Sequence, residues 1–167
     1  NKQTSNQLLL KAFILEELGR GDQSIEIFDK LTKTAKTKAE KARLFTKKGF
    51  VAMKLGHHDM AIKAFEQSLA IMPNAEAMQA LATAQGLNGN WPKAIETYKL
   101  LLSTLDSDAE KARARMQLGT AYMKEGRSSE AIAELSKALT SGYLSAEDQE
   151  STLQNLGFLY YDSKQYP

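Results

Sequence analysis

Chemistry needs a nucleophile, an acid–base pair or a metal-ligand set in mutual reach, so the candidates are few. The only two histidines are adjacent, His57 and His58. Side chains next to each other diverge, and neither has a helical i, i+4 partner of the kind a metal site uses. Acidic pairs such as Glu16 and Glu17 read as solvated helix surface. There is no Cys, which removes a disulfide framework, a thiolate metal site and a Cys nucleophile, and is compatible with cytoplasm or periplasm. A Gly-rich phosphate loop, His-Glu-x-x-His and Gly-x-Ser-x-Gly are all missing from the sequence, so neither an enzyme nor a cofactor is expected.

Charge offers the next candidate. Residues 1–56 carry 12 Lys and Arg against 6 Asp and Glu, and residues 57–167 carry 10 against 14. The basic run is densest over Lys30, Lys33, Lys36, Lys38, Lys41, Arg43, Lys47 and Lys48. Nucleic-acid binding would need aromatics interleaved on that face and a recognisable module. Neither is present, so the run reads as a solvated lysine-rich helix junction and no nucleic acid is expected.

The elements that would position any site are helices in a repeat. Ala39-Glu40-Lys41-Ala42-Arg43 recurs as Ala109-Glu110-Lys111-Ala112-Arg113, an offset of 70. Gly49, Met53, Lys54, Gly56, Ala61 and Ile62 recur at the same offset. Half that period also shows. Ile25, Ile62, Ile95 and Ile132 each follow a small residue, and Phe28, Phe65, Tyr98 and Leu135 lie three positions on. Gly19, Gly56, Gly89 and Gly126 stand five before each small residue. Ala61, Ile62, Phe65, Leu69 and Met72 form one stripe of an amphipathic helix. Each glycine is a helix stop, and Asp22, Asp59, Asn90 or Ser128 is placed to cap the helix that follows. The unit is therefore helix–tight turn–helix. Helices are predicted over 5–18, 22–35, 39–55, 59–71, 75–88, 91–105, 109–125, 128–140 and 146–162. Gly49 is expected to face Ala61, Ala82 to face Ala94, and Gly119 to face Ala131, which lets paired helices approach closely.

This pattern resembles the tetratricopeptide repeat family. The family's Leu-Gly-x-x-Tyr stands as Leu118-Gly119-Thr120-Ala121-Tyr122 and as Leu156-Gly157-Phe158-Leu159-Tyr160. Its Gly-x-x-x-x-Ala-x-x-x-Phe stands as Gly56, Ala61 and Phe65, and Pro73 is its closing Pro. Lys11, Lys48, Arg115, Ser68 and Leu101 depart from the usual small or bulky residues. The resemblance implies an all-α, right-handed α-solenoid of stacked helix–turn–helix units, four full repeats and one truncated. The repeats lie near 5–38, 42–73, 75–108, 112–145 and 150–167, in a single array over 1–167. Asn1 in place of Met and a stop at Pro167 in mid-pattern read as a piece of a longer protein. The last unit ends with Tyr160 to Pro167, which looks like the turn into a second helix. Leu153, Leu156, Leu159 and Tyr160 give its helix an apolar outer face, an open end suited to self-association.

In this family the concave groove is lined by set positions of the first helix of each repeat. Carried over, these are Asn6, Leu9 and Phe13; Arg43, Thr46, Phe50, Met53 and Lys54; Gln79 and Thr83; Arg113, Met116, Thr120, Met123 and Lys124; and Gln154, Phe158 and Tyr161. Phe13, Phe50 and Phe158 have two roles open to them, groove contact or packing on the neighbouring helix. Met53 and Met116 have the same choice, and Trp91 reads as a structural staple in its turn. The Lys/Asn clamp with which some members hold a chaperone tail is not matched, because those positions read Leu9/Phe13, Thr46/Phe50, Gln79/Thr83 and Met116/Thr120. The implied function is a non-catalytic scaffold that receives a protein or peptide partner. The alternative is a periplasmic spacer, since the stretched spacings resemble the arrays of bacterial outer-membrane exopolysaccharide export proteins. No apolar stretch reaches the roughly 18 residues of a membrane span, so membrane insertion by this segment is not expected.

Overall fold

A computed structural model describes residues 4–162. Among the described residues there are nine helices and no strand: α1 (Ser5–Glu17), α2 (Gly21–Thr34), α3 (Lys38–Lys54), α4 (His58–Ile71), α5 (Ala75–Leu87), α6 (Trp91–Thr104), α7 (Asp108–Lys124), α8 (Ser128–Thr140) and α9 (Ala146–Asp162). Every predicted helix is present with ends displaced by a residue at most. Gly19, Gly56, Gly89 and Gly126 all adopt positive φ, between 70° and 79°. This is the left-handed conformation that ends the first helix of each pair at no steric cost to glycine.

The caps correct one expectation. Only Asn90 caps as anticipated, accepting from the Lys93 N–H. The corresponding N-caps elsewhere are Arg20, His57 and Arg127, with no side-chain bond. Asp22 and Asp59 sit inside the first turn, where their charge meets the positive end of the helix dipole. The side-chain caps fall instead on the first helices of the pairs, at Thr4, Thr37, Asn74 and Ser107.

The chain divides into two compact units, one running to Asn88 and the other beginning at Gly89. In the first, each of α1 to α4 packs on its successor. Its core is built on Phe28, Leu31, Val51, Ala61, Phe65, Leu81 and their neighbours. Phe28 lies edge-on to Phe13 (centroids 6.5 Å apart), and Phe65 lies edge-on to Phe50 (5.3 Å). In the second unit α6 packs on α7, α7 on α8 and α8 on α9. Leu118, Tyr122, Leu135, Leu156 and Leu159 are buried there. The Tyr122 ring carries Lys99 Nζ at 5.5 Å and the Arg127 guanidinium at 4.7 Å from its centroid.

The helix crossings differ from expectation in a definite way. A Cβ built on Gly49 would fall 2.5–2.8 Å from ring carbons of Phe65, and one on Gly119 would fall 2.6 Å from Cγ of Leu135. The glycine therefore receives the bulky residue of the second helix, where Ala61 or Ala131 is expected from the sequence; both alanines are fully buried. Ala82 and Ala94 belong to different units, and both are fully buried.

Lys48 and Arg115, two of the departures from the repeat pattern, are accommodated by polar pairing. Lys48 reaches Asp29 of α2 at 2.5 Å. Arg115 reaches Glu134 of α8 at 2.7 Å, and Lys137 reaches the same carboxylate at 2.7 Å. Burial would raise the Glu134 pKa, but the hydrogen bonds from Lys137 and Arg115 outweigh it and hold the carboxyl below its usual value. At the C-terminal end the apolar-face expectation needs correcting too. Leu156 and Leu159 turn inward and are buried, and Tyr160 is half-buried. The exposed apolar residues of α9 are Leu153, Phe158 and Tyr161. The expected turn after residue 162 lies outside the described residues.

Two predictions follow from the packing. Gly119→Ala forces a Cβ into Leu135, so the overpacking cost of roughly 1–3 kcal/mol should outweigh about 1 kcal/mol of helix propensity. A Cβ on Gly157 meets nothing within 4 Å, so Gly157→Ala should gain about 0.5–1 kcal/mol. Urea unfolding of both variants checks the opposite signs. For Glu134 the folded pKa is depressed, so its contribution is present above the unfolded value, near 4.5, and is lost as pH falls through the folded value. Wild type should therefore exceed Glu134→Gln in melting temperature at neutral pH, and the gap should close below about pH 4.5. A gap that does not change with pH would contradict this.

Candidate interaction groove

The expected groove positions fall on the first helices of the pairs, and in the first unit the structure gathers most of them into three hollows. Asn6, Leu9 and Arg43 share a small hollow of about 80 Å³ with Leu31, Glu40 and Leu44. Arg43 and Thr46 line a larger one of about 490 Å³ with Thr37, Ala39, Ala42, Met72, Asn74 and Glu76. Phe50, Met53, Gln79 and Thr83 meet in a third, of about 210 Å³, with Glu76 and Ala80. Arg43 and Glu76 each border two hollows, so the three run on from one another along α1, α3 and α5.

Local physics fixes these side chains. Phe50 is half-buried, held edge-on against the fully buried Phe65, and shows its remaining face to the hollow with Met53. Phe13 lies outside the three hollows, with Lys47 Nζ 5.1 Å from its ring centroid. Thr83 donates to the Gln79 carbonyl at 3.0 Å, the back-bonding open to a helical Thr. Lys54 is committed to an ion pair with Glu16, whose hydrogen bond and charge raise the ammonium pKa.

Thr46 corrects the sequence reading. It is 4% exposed. Its hydroxyl lies 2.8 Å from Ser68 Oγ, and Ser68 in turn donates to the Ala42 carbonyl at 2.8 Å. The departure at Ser68 and the polar residue at Thr46 are thus one buried network that ties α4 to α3. Thr46 is packing material, and only its edge borders a hollow.

In the second unit Arg113 lines a hollow of about 340 Å³ with Ala109, Tyr143, Leu144, Ser145 and Asp148. Met116 packs on the buried Ala112, Ala138 and Leu144, and the Thr120 hydroxyl donates to the Met116 carbonyl at 3.0 Å. Lys124, Gln154 and Tyr161 are exposed, Met123 is half-buried, and Phe158 is 61% exposed. None of these four lines the Arg113 hollow, nor does Phe158.

Sequence reasoning missed Met72, Asn74, Glu76, Tyr143, Leu144 and Asp148. They come from, or directly after, the connections that follow α4 and α8. Met72-Pro73-Asn74 and Gly142-Tyr143-Leu144 share no residues at the 70-residue offset, so the repeat gave no signal for them. His57 is the N-cap of α4, its Nδ1 3.8 Å from Asp22. Among the described residues no group of three or more His, Cys, Asp or Glu is placed to hold a metal ion, and no helix is long and apolar enough to cross a membrane. Trp91 is half-buried in the first turn of α6, beside Pro92.

Comparison with known proteins agrees with this geometry. Residues 42–75 and 112–141 each match a tetratricopeptide repeat family model. Photosystem I assembly protein Ycf3 of Prochlorococcus marinus (strain MIT 9211) is 28% identical over 97 residues, covering 56% of this chain and 54% of the relative. The chain thus spans about half the length of the curated relatives it matches. Among solved structures, a MamA RS-1 double mutant superposes with a TM-score of 0.81 at 17% identity, over 96% of this chain and 85% of the other. BtubC (BKLC) from P. vanneervenii gives 0.82 at 18%, over 95% and 72%. The fold is the all-helical solenoid class of stacked helix–turn–helix repeats, and the two family-model matches support the tetratricopeptide repeat family.

The buried network gives a direct test. Thr46→Val keeps the shape but removes the hydroxyl that bonds Ser68 and the Ala42 carbonyl, and should cost about 1 kcal/mol in chemical unfolding. An unchanged midpoint would show that the hydroxyl pair contributes nothing.

Proposed function

We propose that this chain is a non-catalytic scaffold that receives a partner peptide or protein segment along the hollows of α1, α3 and α5. The observation that carries this reading is the meeting of Phe50, Met53, Gln79 and Thr83 in one hollow. Phe and Met offer adaptable apolar contact, Gln and Thr orient a backbone, and such mixed apolar and polar linings suit segment recognition. The repeat matches support the same reading, as do relatives that include a photosystem assembly protein. In this reading the groove of the second unit is Arg113 with Met116, Thr120, Lys124 and Phe158, and 1–167 works as a single array. These relatives do not favour the exopolysaccharide-export alternative over the scaffold, and the hollow does not either.

The test needs no known partner. A random-peptide phage library panned on the whole chain should yield binders. Thr83→Arg, which fills the hollow, and Phe50→Ala should each weaken those binders at least about ten-fold in fluorescence anisotropy. Far-UV circular dichroism of both variants should match wild type. Binders indifferent to both changes would place recognition elsewhere and defeat the proposal.

A further inference from the structure

The first helices α3, α5 and α7 are each covered by the helix before them, α2, α4 and α6. Val51, Ala84 and Ala121 stand at one place in those helices, five residues before the positive-φ glycine, and all three are buried. Ile14 holds that place in α1 and is 49% exposed, with Leu10 at 61% and Leu18 at 64% on the same ridge. The other side of α1 buries Ala12 and Leu15. A helix apolar on both sides is one that is covered on both. The charges beside the stripe say what kind of cover it takes. Lys11 stands where α3 has Lys48, eight residues before the glycine, and Lys48 reaches Asp29 of its covering helix α2 at 2.5 Å. The Lys11 side chain is exposed and has no hydrogen bond or ion pair among the described residues, and the same holds for Glu17. Glu17 acts on the charge of Lys54, which is bonded to Glu16.

We propose that a second copy of this chain covers α1, the two α1 helices packing stripe to stripe about a two-fold axis with their N-termini at the same end. This stands apart from the groove reading and uses the opposite side of α1. Lys11 and Glu17 lie three residues before and after Ile14, which places them about 60° to either side of the stripe. With the two helices running in the same sense, the Lys11 flank of one copy meets the Glu17 flank of the other, and the two-fold axis makes this contact twice. Run in opposite senses, Lys11 would flank Lys11 and Glu17 would flank Glu17. Like charges brought together disfavour that pairing, so the charges select the first. The carboxylate that Asp29 gives to Lys48 is then given to Lys11 by Glu17 of the other copy. Leu10, Ile14 and Leu18 form an i, i+4 ridge, and such ridges pack on one another at a crossing of about −50°. The contact is confined to one helix from each copy, so the dimer is weak and depends on concentration.

Sedimentation velocity on the whole chain at about 1 to 200 μM should show monomer giving way to dimer as concentration rises. Ile14→Asp should leave the chain monomeric throughout, with a far-UV circular dichroism spectrum that matches wild type. Lys11→Glu and Glu17→Lys should each weaken the dimer at least about five-fold, since each change turns two attractive contacts into two repulsive ones. The double exchange should bring the dissociation constant back to within about two-fold of wild type. A chain that stays monomeric over this range would overturn the proposal and leave the stripe to another molecule or segment. A dimer that survives Ile14→Asp would place the interface elsewhere. Single charge variants that dimerise as wild type would overturn the same-sense pairing, and single losses without rescue would overturn the contact between Lys11 and Glu17. Growth beyond a dimer would overturn the two-fold closure.

Discussion

The close approach of Phe65 to Gly49 and of Leu135 to Gly119 is the constraint on which the rest of the structure depends. Each glycine removes one Cβ from the first helix of a pair, and a large apolar side chain of the second helix occupies the vacated space. That placement buries Phe65 and Leu135 completely. It also sets the depth at which the second helix lies, and so decides which side chains of the first helix are left with a free face. Phe50 shows the consequence, since its ring is held from behind by Phe65 and so presents one fixed surface to the hollow in front. An isolated pair of this kind has apolar surface left on its far side, which is why such units bury it against their neighbours.

Several polar residues in the packed layers find the partner that a buried donor or acceptor needs, although the Ser24 hydroxyl has none among the described residues. Thr46, Ser68 and the Ala42 carbonyl close one network, and Arg115, Glu134 and Lys137 close another. Lys48 with Asp29 joins α3 to α2 in the same manner. These bonds replace apolar contacts that other repeats make at corresponding places. They add directionality, because a hydrogen bond fixes the rotation of one helix against the next more narrowly than a methyl contact does. Their energies are modest once exchange with water is counted, so the apolar crossings remain the main source of stability.

Helix positions and pairing were legible in the sequence because several independent signals agreed. A glycine at each stop, a small residue five positions later and a bulky one after that leave one arrangement that satisfies backbone and core together. What was not legible depends on distances between helices. Nothing in the residue types alone says that Gly119 is filled while Gly157 is open, although both follow a Leu in the same motif. Likewise Thr46 occupies a position read as groove lining, but a serine 22 residues away draws it into the core. The hollow-lining connections after α4 and α8 could not be read from the repeat, because the 70-residue similarity lapses there.

The groove residues therefore sort by how much freedom the core leaves them. Thr46 and Met116 are claimed by packing and Lys54 by Glu16, whereas Phe50, Met53, Gln79 and Thr83 are braced yet face open space. A braced side chain loses little further conformational freedom when a partner arrives, so the entropic cost of binding is lower there than at a mobile surface group. Arg43 and Arg113, by contrast, are exposed. Bracing favours contact area, and the first unit holds it in the hollow of Phe50 and Met53.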